Sequence, residues 1–138
     1  MSRSIACIDY RDGQIFIAKR QNKGDMANRW EFPGCKIDDG EDYVTAIKRE
    51  MMEEFGVEVE VGKHICGSTF IHKCKNVECT LDAFEVHFMK DGIETPFKLT
   101  EHTDYKWVDI NEIPKLNFVD SDMSIYEKVY DWCVNKNK

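Results

Sequence analysis

Apolar positions recur with period two in several short runs of this chain and with helical period in two longer ones. Ser4 to Tyr10 is a β-prone run, Arg11-Asp12-Gly13-Gln14 carries an Asp-Gly turn, and Ile15 to Lys19 resumes the strand pattern. Two such runs across Asp-Gly predict a β-hairpin. Gln21 to Asn28 is polar with Gly24 and reads as a loop. Trp30-Glu31-Phe32 then meets Pro33-Gly34, which reads as a stop. From Glu41 or Asp42 to about Phe55, the residues Val44, Ile47, Met51 and Phe55 draw one apolar stripe, and Gly56 stands where a helix ends. Val57–Val61, Ile65–Ile71, Val77–Met89 and Tyr105–Val108 read as further strands, with a turn at Asp91-Gly92 and a polar loop from Thr100 to Asp104. Asn111 to Pro114 reads as one helical turn. Ser121 to Val134 reads as a last helix with Ser121 as its N-cap. Strands, helix, strands, helix in this order suit an α/β fold, an α/β/α sandwich around a central mixed β-sheet.

The polar side of the first helix changes this picture. Glu50, Glu53 and Glu54 stand at i, i+3 and i+4 and share one face. At ~100° per residue that face centres roughly 110° from the apolar stripe, so the helix offers carboxylates to a neighbouring cleft. Helix glutamates usually mark a solvated face. Three together repel one another unless a cation neutralises them, and oxygen-only ligands select a hard metal, Mg²⁺ or Mn²⁺. Such ions keep positions for water and phosphate oxygens, so the pattern points to phosphate chemistry.

The chain has 138 residues, 42% hydrophobic and 33% charged, with a formal net charge of −7. This is room for one domain, residues 1–138, with a substantial core. The acidity argues against a nucleic-acid or membrane partner, either of which needs basic surface. No leader-like segment opens the chain, and no apolar run approaches ~18 residues. Six cysteines stand at Cys7, Cys35, Cys66, Cys74, Cys79 and Cys133. Most fall in apolar runs and read as packed thiols of a reduced, cytoplasmic protein. Cys74, Cys79 and His72 suggest zinc, but no second pair has finger spacing.

The carboxylates lie inside a longer pattern. Cys35, Glu41, Arg49, Glu50, Met51, Glu53, Glu54, Gly56 and Val57 follow the spacing G-x5-E-x7-R-E-U-x-E-E-x-G-U, where U is aliphatic, with Cys35 in place of the leading glycine. This resembles the Nudix box, here about residues 35–57. Trp30 to Gly34 resembles the lead-in of the MutT-like branch, including its CTP pyrophosphohydrolases. The resemblance implies a Nudix hydrolase, a Mg²⁺-dependent nucleoside triphosphate pyrophosphohydrolase with Mn²⁺ as a substitute, acting on a nucleotide as monomer or homodimer. Alternatives are a Nudix hydrolase of a nucleoside diphosphate linked to another group, such as ADP-ribose or NADH, and a Nudix-fold binding module without catalysis.

Carried onto this sequence, the resemblance assigns Glu50, Glu53, Glu54, Arg49 and Glu101 to catalysis. The Gly34 carbonyl, Glu50, Glu53, Glu54 and Glu101 would hold the metal. Arg49 would steady a box carboxylate. Arg20, Asp25, Glu31, Phe32, Gly34 and Asp122 would contact the substrate. Arg20 would meet phosphate, for which a guanidinium fork is well suited. Asp122 would meet the base: ionised, it accepts from the exocyclic amine of cytosine or adenine, and protonated it faces an acceptor. Asp82, Phe84 and Phe118 are candidate pocket walls.

Overall fold

The apolar run at the start of the chain becomes a strand buried on both faces. In this computed structural model, residues 2–22, 24, 27–38, 40–72 and 77–136 are described. The elements are β1 (Ser2–Ile8), β2 (Tyr10–Arg11), β3 (Gln14–Arg20), β4 (Trp30–Glu31), β5 (Gly34–Lys36), α1 (Tyr43–Phe55), β6 (Val59–His72), β7 (Val77–Phe88), β8 (His102–Asp109), a 3₁₀ segment (Ile110–Lys115), α2 (Asp120–Met123) and α3 (Tyr126–Lys136). A mixed four-stranded sheet runs β5-β1-β7-β6, with β1 and β7 parallel and the outer pairs antiparallel. A second, antiparallel sheet pairs β3 with β2, β4 and β8.

Successive strand residues point to opposite faces, and that alternation divides the core in two. Ile5 and Cys7 of β1, Phe16 and Ala18 of β3, and Phe84, Val86 and Phe88 of β7 pack with Ile47, Met51 and Phe55 of α1. Ala6, Ile8, Ile15, Ile17, Leu81 and Ala83 take the other side, with Ile113, Phe118, Ile125, Val129 and Cys133. The sheets therefore lie between α1 and the C-terminal helices, the expected α/β/α arrangement. Phe16 anchors the α1 side, with Phe55, Phe88, Phe97 and Trp107 edge-on at 4.8–5.8 Å. Truncating such a residue to alanine costs about 3–5 kcal/mol.

Local signals set several boundaries as the sequence suggests. Asp12 and Gly13 both have positive φ, 49° and 84°, the conformation a two-residue hairpin turn of type I′ requires. Asp42 caps α1 by accepting the Thr45 N–H, and Gly56 ends it with φ 67°.

Four expectations are corrected. Gly34 is not a stop: it opens β5, whose backbone runs so close to β1 that any Cβ on Gly34 would collide with the Ile5 carbonyl. The strands expected at 57–61 and 65–71 are one strand, β6, kinked by register shifts between Val61 and Cys66. A bulge adds length there without breaking the strand. β8 begins at His102, inside the stretch read as a polar loop, because its backbone pairs with β3 whatever its side chains. The last helix is two. The N–H of Ile125 bonds the Asp122 carbonyl three residues back, a tighter turn that ends α2, and Ser121 lies inside α2 after the uncapped Val119.

Candidate active site

The second half of α1 shows its carboxylates to a cleft of about 560 Å³, closed opposite by β5 and by the start of β8. Arg20, Glu31, Phe32, Gly34, Glu50, Glu53, Glu54, Glu101 and Asp122 all line it, so residues spread over a hundred positions meet in one place. Arg49 stands beside them. Asp25 lies outside the described residues, as does Cys74. Of the candidate walls, Phe118 backs Phe32 with ring centroids 5.0 Å apart, Phe84 stacks on Tyr43, and Asp82 bonds His64. None of these three lines the cleft.

Arg49 organises the box. Its Nε and Nη2 donate to the two oxygens of Glu41 at 3.1 and 3.0 Å, and its Nη1 donates to Glu50 at 2.8 Å. The fork holds the Glu41 carboxyl below its ordinary pKa. Glu53 stands 3.6 Å from the same guanidinium. One fixed cation thus spans three of the box carboxylates, a geometry a lysine cannot copy.

Glu53 and Glu54 are neighbours in sequence but not in environment. The Glu53 side chain is 61% exposed and that of Glu54 only 10%. The helix therefore buries more than its apolar stripe: Ala46 and Glu54 are covered along with Ile47, Met51 and Phe55. Burial first, then the charges of Glu50, Glu31, Glu101 and Glu53, push the Glu54 carboxyl up to about 8. Its Oε2 has no hydrogen-bond partner among the described residues.

The loop carrying Glu101 is tied twice through Thr100. Gln21 Nε2 donates to the Thr100 carbonyl at 2.9 Å, and the Thr100 hydroxyl donates to the Glu53 carbonyl at 3.0 Å. On the far wall, Asp122 is buried, and its Oδ2 accepts the Phe32 N–H at 2.9 Å. Burial, then the charge of Glu31, pushes its carboxyl up to about 8. Cys35 is half-buried, and burial with Glu50 and Glu54 nearby pushes its thiol up to about 12. Burial and the nearby carboxylates thus favour its neutral thiol form.

Glu31 lines the cleft and is held at both of its carboxylate oxygens. Its Oε1 accepts from Arg20 Nη1 at 3.0 Å and its Oε2 bonds His102 Nε2 at 2.8 Å. His102 is the residue that sequence reasoning missed. It follows Glu101 directly, and only the pairing of β8 with β3 turns it inward. The buried side-chain atoms without a partner among the described residues are Arg20 Nε, Glu54 Oε2 and His102 Nδ1, and all belong to this cleft.

A divalent cation is a chemical fit for this donor set. The carboxylates are all hard oxygen donors, and Glu54 carries a buried oxygen that no group among the described residues satisfies. As the side chains stand, no three carboxylate, imidazole or thiol groups among the described residues converge to ligation distance. Binding would draw in Glu50 and the exposed Glu53.

The sequence profile of the NUDIX domain matches residues 5–128. The chain belongs to the Nudix family. This Nudix hydrolase is of the MutT-like branch and acts on phosphoanhydride bonds. It is 40% identical over 65 residues to a CTP pyrophosphohydrolase of Escherichia coli, a segment covering 47% of this chain and 48% of that one. A putative 8-oxo-dGTP diphosphatase of Mycobacterium tuberculosis is 32% identical over 111 residues, covering 78% of this chain and 73% of its own length. In three dimensions the solution structure of the E. coli ORF135 protein superposes with a TM-score of 0.80 at 27% identity, covering 95% of this chain and 89% of that one. A MutT Nudix hydrolase of Burkholderia pseudomallei gives 0.77 at 22% identity, over 93% and 97% of the two chains, and attests the fold. No helix among the described residues is long and apolar enough to cross a membrane.

Proposed function

We propose that this Nudix hydrolase converts a nucleoside triphosphate, ribo or deoxy, with water to the monophosphate and pyrophosphate, using Mg²⁺ or, as a substitute, Mn²⁺. The observation that carries this reading is Glu54, a buried carboxylate pushed up to about 8, with an unsatisfied oxygen and with Glu50, Glu53 and Glu101 around it. Such a cluster is stable in ionised form only with a cation. Glu50, Glu53, Glu54, Glu101 and the Gly34 carbonyl would hold it. When bound, the ion would neutralise phosphate charge and lower the pKa of the attacking water.

The chain's own residues do the rest. Arg20 steadies the phosphate oxygens with its half-exposed guanidinium, Arg49 keeps Glu41, Glu50 and Glu53 in place, and Glu101 takes the water's proton as the phosphoanhydride bond breaks and pyrophosphate leaves. Asp122 reads the base. A carboxyl raised to about 8 is mostly protonated at neutral pH, so it offers a donor to a ring nitrogen or carbonyl of the base. A cytosine nucleotide suits that edge, and the E. coli CTP pyrophosphohydrolase is among the relatives. An oxidised guanine nucleotide also has such acceptors. No basic surface for nucleic acid is implied by a net charge of −7, and reduced thiols at Cys7, Cys35 and Cys66 suit a cytoplasmic location.

One panel tests the reading: pyrophosphate release from normal and oxidised nucleoside triphosphates, alongside ADP-ribose and NADH hydrolysis, each with and without Mg²⁺. Metal-dependent pyrophosphate release from a triphosphate is expected. Hydrolysis of only the linked diphosphates, or of nothing, overturns it.

A further inference from the structure

His102 is buried at the rim where β8 begins, its side chain 2% exposed, and the box pattern gives it no role. Its place comes from a register shift. Along β3 and β8, Lys19 faces Asp104 but Arg20 faces His102, so β8 carries one extra residue at this step. A bulge of this kind re-aims the side chain beside it. Here it turns the imidazole inward, where it stacks on Phe55 with centroids 5.2 Å apart and planes 14° apart. The stacking fixes the plane of the ring, and the bond to Glu31 sets its rotation within that plane.

The two nitrogens are not equivalent. Nε2 lies 2.8 Å from Glu31 Oε2, a full hydrogen bond. Nδ1 lies 4.0 Å from Glu54 Oε1, too far for one. A carboxylate oxygen accepts, so His102 donates from Nε2, and its partner is Glu31. The other Glu31 oxygen holds Arg20 Nη1. Arg20 Nε is buried and has no partner among the described residues, while the guanidinium end is half-exposed to the cleft. The three side chains form a chain, His102 to Glu31 to Arg20, drawn from β8, β4 and β3.

We propose that His102 is a positioning residue for substrate binding: by fixing Glu31 it holds the Arg20 guanidinium in the orientation that meets the substrate. The role acts through Arg20 and not through the carboxylates of α1. It takes its substrate from the hydrolase reading above, but the link between His102 and Glu31 stands apart from that reading.

Three variants of the whole chain test it. His102→Phe keeps a ring against Phe55 and removes the donor. His102→Gln returns an amide N–H near the position of Nε2. His102→Asn is too short to reach Glu31. On the preferred triphosphate of the panel, His102→Phe and His102→Asn are expected to raise KM about tenfold or more with kcat within about threefold, the loss of one buried hydrogen bond to a charged group. His102→Gln should keep KM within about threefold of wild type. The Mg²⁺ concentration that half-saturates the rise in melting temperature, measured without nucleotide, should be the same in all three. Glu31→Gln combined with His102→Phe should be no worse than either alone.

An unchanged KM in His102→Phe, a loss confined to kcat, equal damage from Gln and Phe, or additive effects with Glu31→Gln would each overturn the proposal. If His102→Phe does not fold, the contrast between Gln and Asn decides. If the wild-type chain hydrolyses nothing, the function proposed above fails while this link is still judged. The His102–Glu31 cycle is then read in melting temperature, where non-additive losses support the link and additive ones refute it.

Discussion

Asp122 and Phe32 are 90 residues apart in sequence, yet the buried Asp122 carboxyl accepts the Phe32 N–H at 2.9 Å. The bond joins the short helix α2 to the segment that leads into the box. It also occupies Oδ2, so a protonated Asp122 carries its proton on the other oxygen. Burial and the Glu31 charge keep that proton on up to about pH 8.

Base preference should therefore depend on pH in a particular way. The ratio of kcat/KM between the best and worst bases is expected to hold below about pH 8 and to fall as pH rises through it, as the donor is lost. Asp122→Asn keeps an N–H donor and should show a flat ratio over the same range. Asp122→Ala should compress the ranking by about tenfold, the value of one good polar contact to a base. Steady-state kinetics with the four common bases at several pH values checks all three. An unchanged ranking in Asp122→Ala would leave Asp122 with only its bond to Phe32.

Glu54 links stability to pH with a definite sign. Its folded-state pKa is raised from 4.5 to about 8, so the native chain holds a proton that the unfolded chain has released. The stability this contributes is full below the unfolded value and is lost as pH rises through about 8. Metal-free protein should melt lower at pH 8 than at pH 5. Glu54→Gln should melt higher than wild type at pH 8, by roughly 5 °C. Glu53→Gln should move little, because Glu53 is mostly exposed. Thermal melts in chelator, at both pH values, make the comparison.

The same Glu54→Gln substitution should reduce turnover by at least ~10²-fold at saturating Mg²⁺, since it removes charge from a site that stabilises the transition state. Higher stability with lower activity is the pairing expected of a carboxylate kept for a cation. Near wild-type turnover would remove Glu54 from the metal site.

Arg49→Lys should lower kcat by about tenfold or more, because an ammonium cannot fork Glu41 and reach Glu50 at once. Half-saturation by Mg²⁺ should shift upward in the same variant. A silent Arg49→Lys would mean that the charge alone matters.

Cys35→Gly restores the usual first residue of the box and should leave turnover within about twofold, since a thiol raised to about 12 takes no part in proton transfer. Stability should fall by about 1–2 kcal/mol, from the lost packing and the added freedom of glycine in a strand. Denaturant melts and the rate of pyrophosphate release read the two effects separately.

The features legible in the chain alone act within a few residues of the signal that sets them. Asp12-Gly13 sets a hairpin because that turn needs positive φ twice. Asp42 and Gly56 bound α1, and the spacing of Glu50, Glu53 and Glu54 puts three carboxylates on one side of it. Short continuous apolar runs, residues 5–8 and 15–18, marked β1 and β3 as strands before any partner was known. Tertiary structure alone decided which of these groups is buried and what each one touches. Glu53 and Glu54 look alike in sequence, but only Glu54 is covered, because its side of α1 turns inward, with the buried His102 of β8 4.0 Å away. His102 reads as part of a polar loop until β3 supplies the hydrogen bonds that make it strand and a bulge turns its ring inward. Its bond to Glu31 spans 71 residues, and the one from Phe32 to Asp122 spans 90. No local pattern reports contacts of that range, because they are set by how the sheets and helices dock and not by the preferences of any one segment.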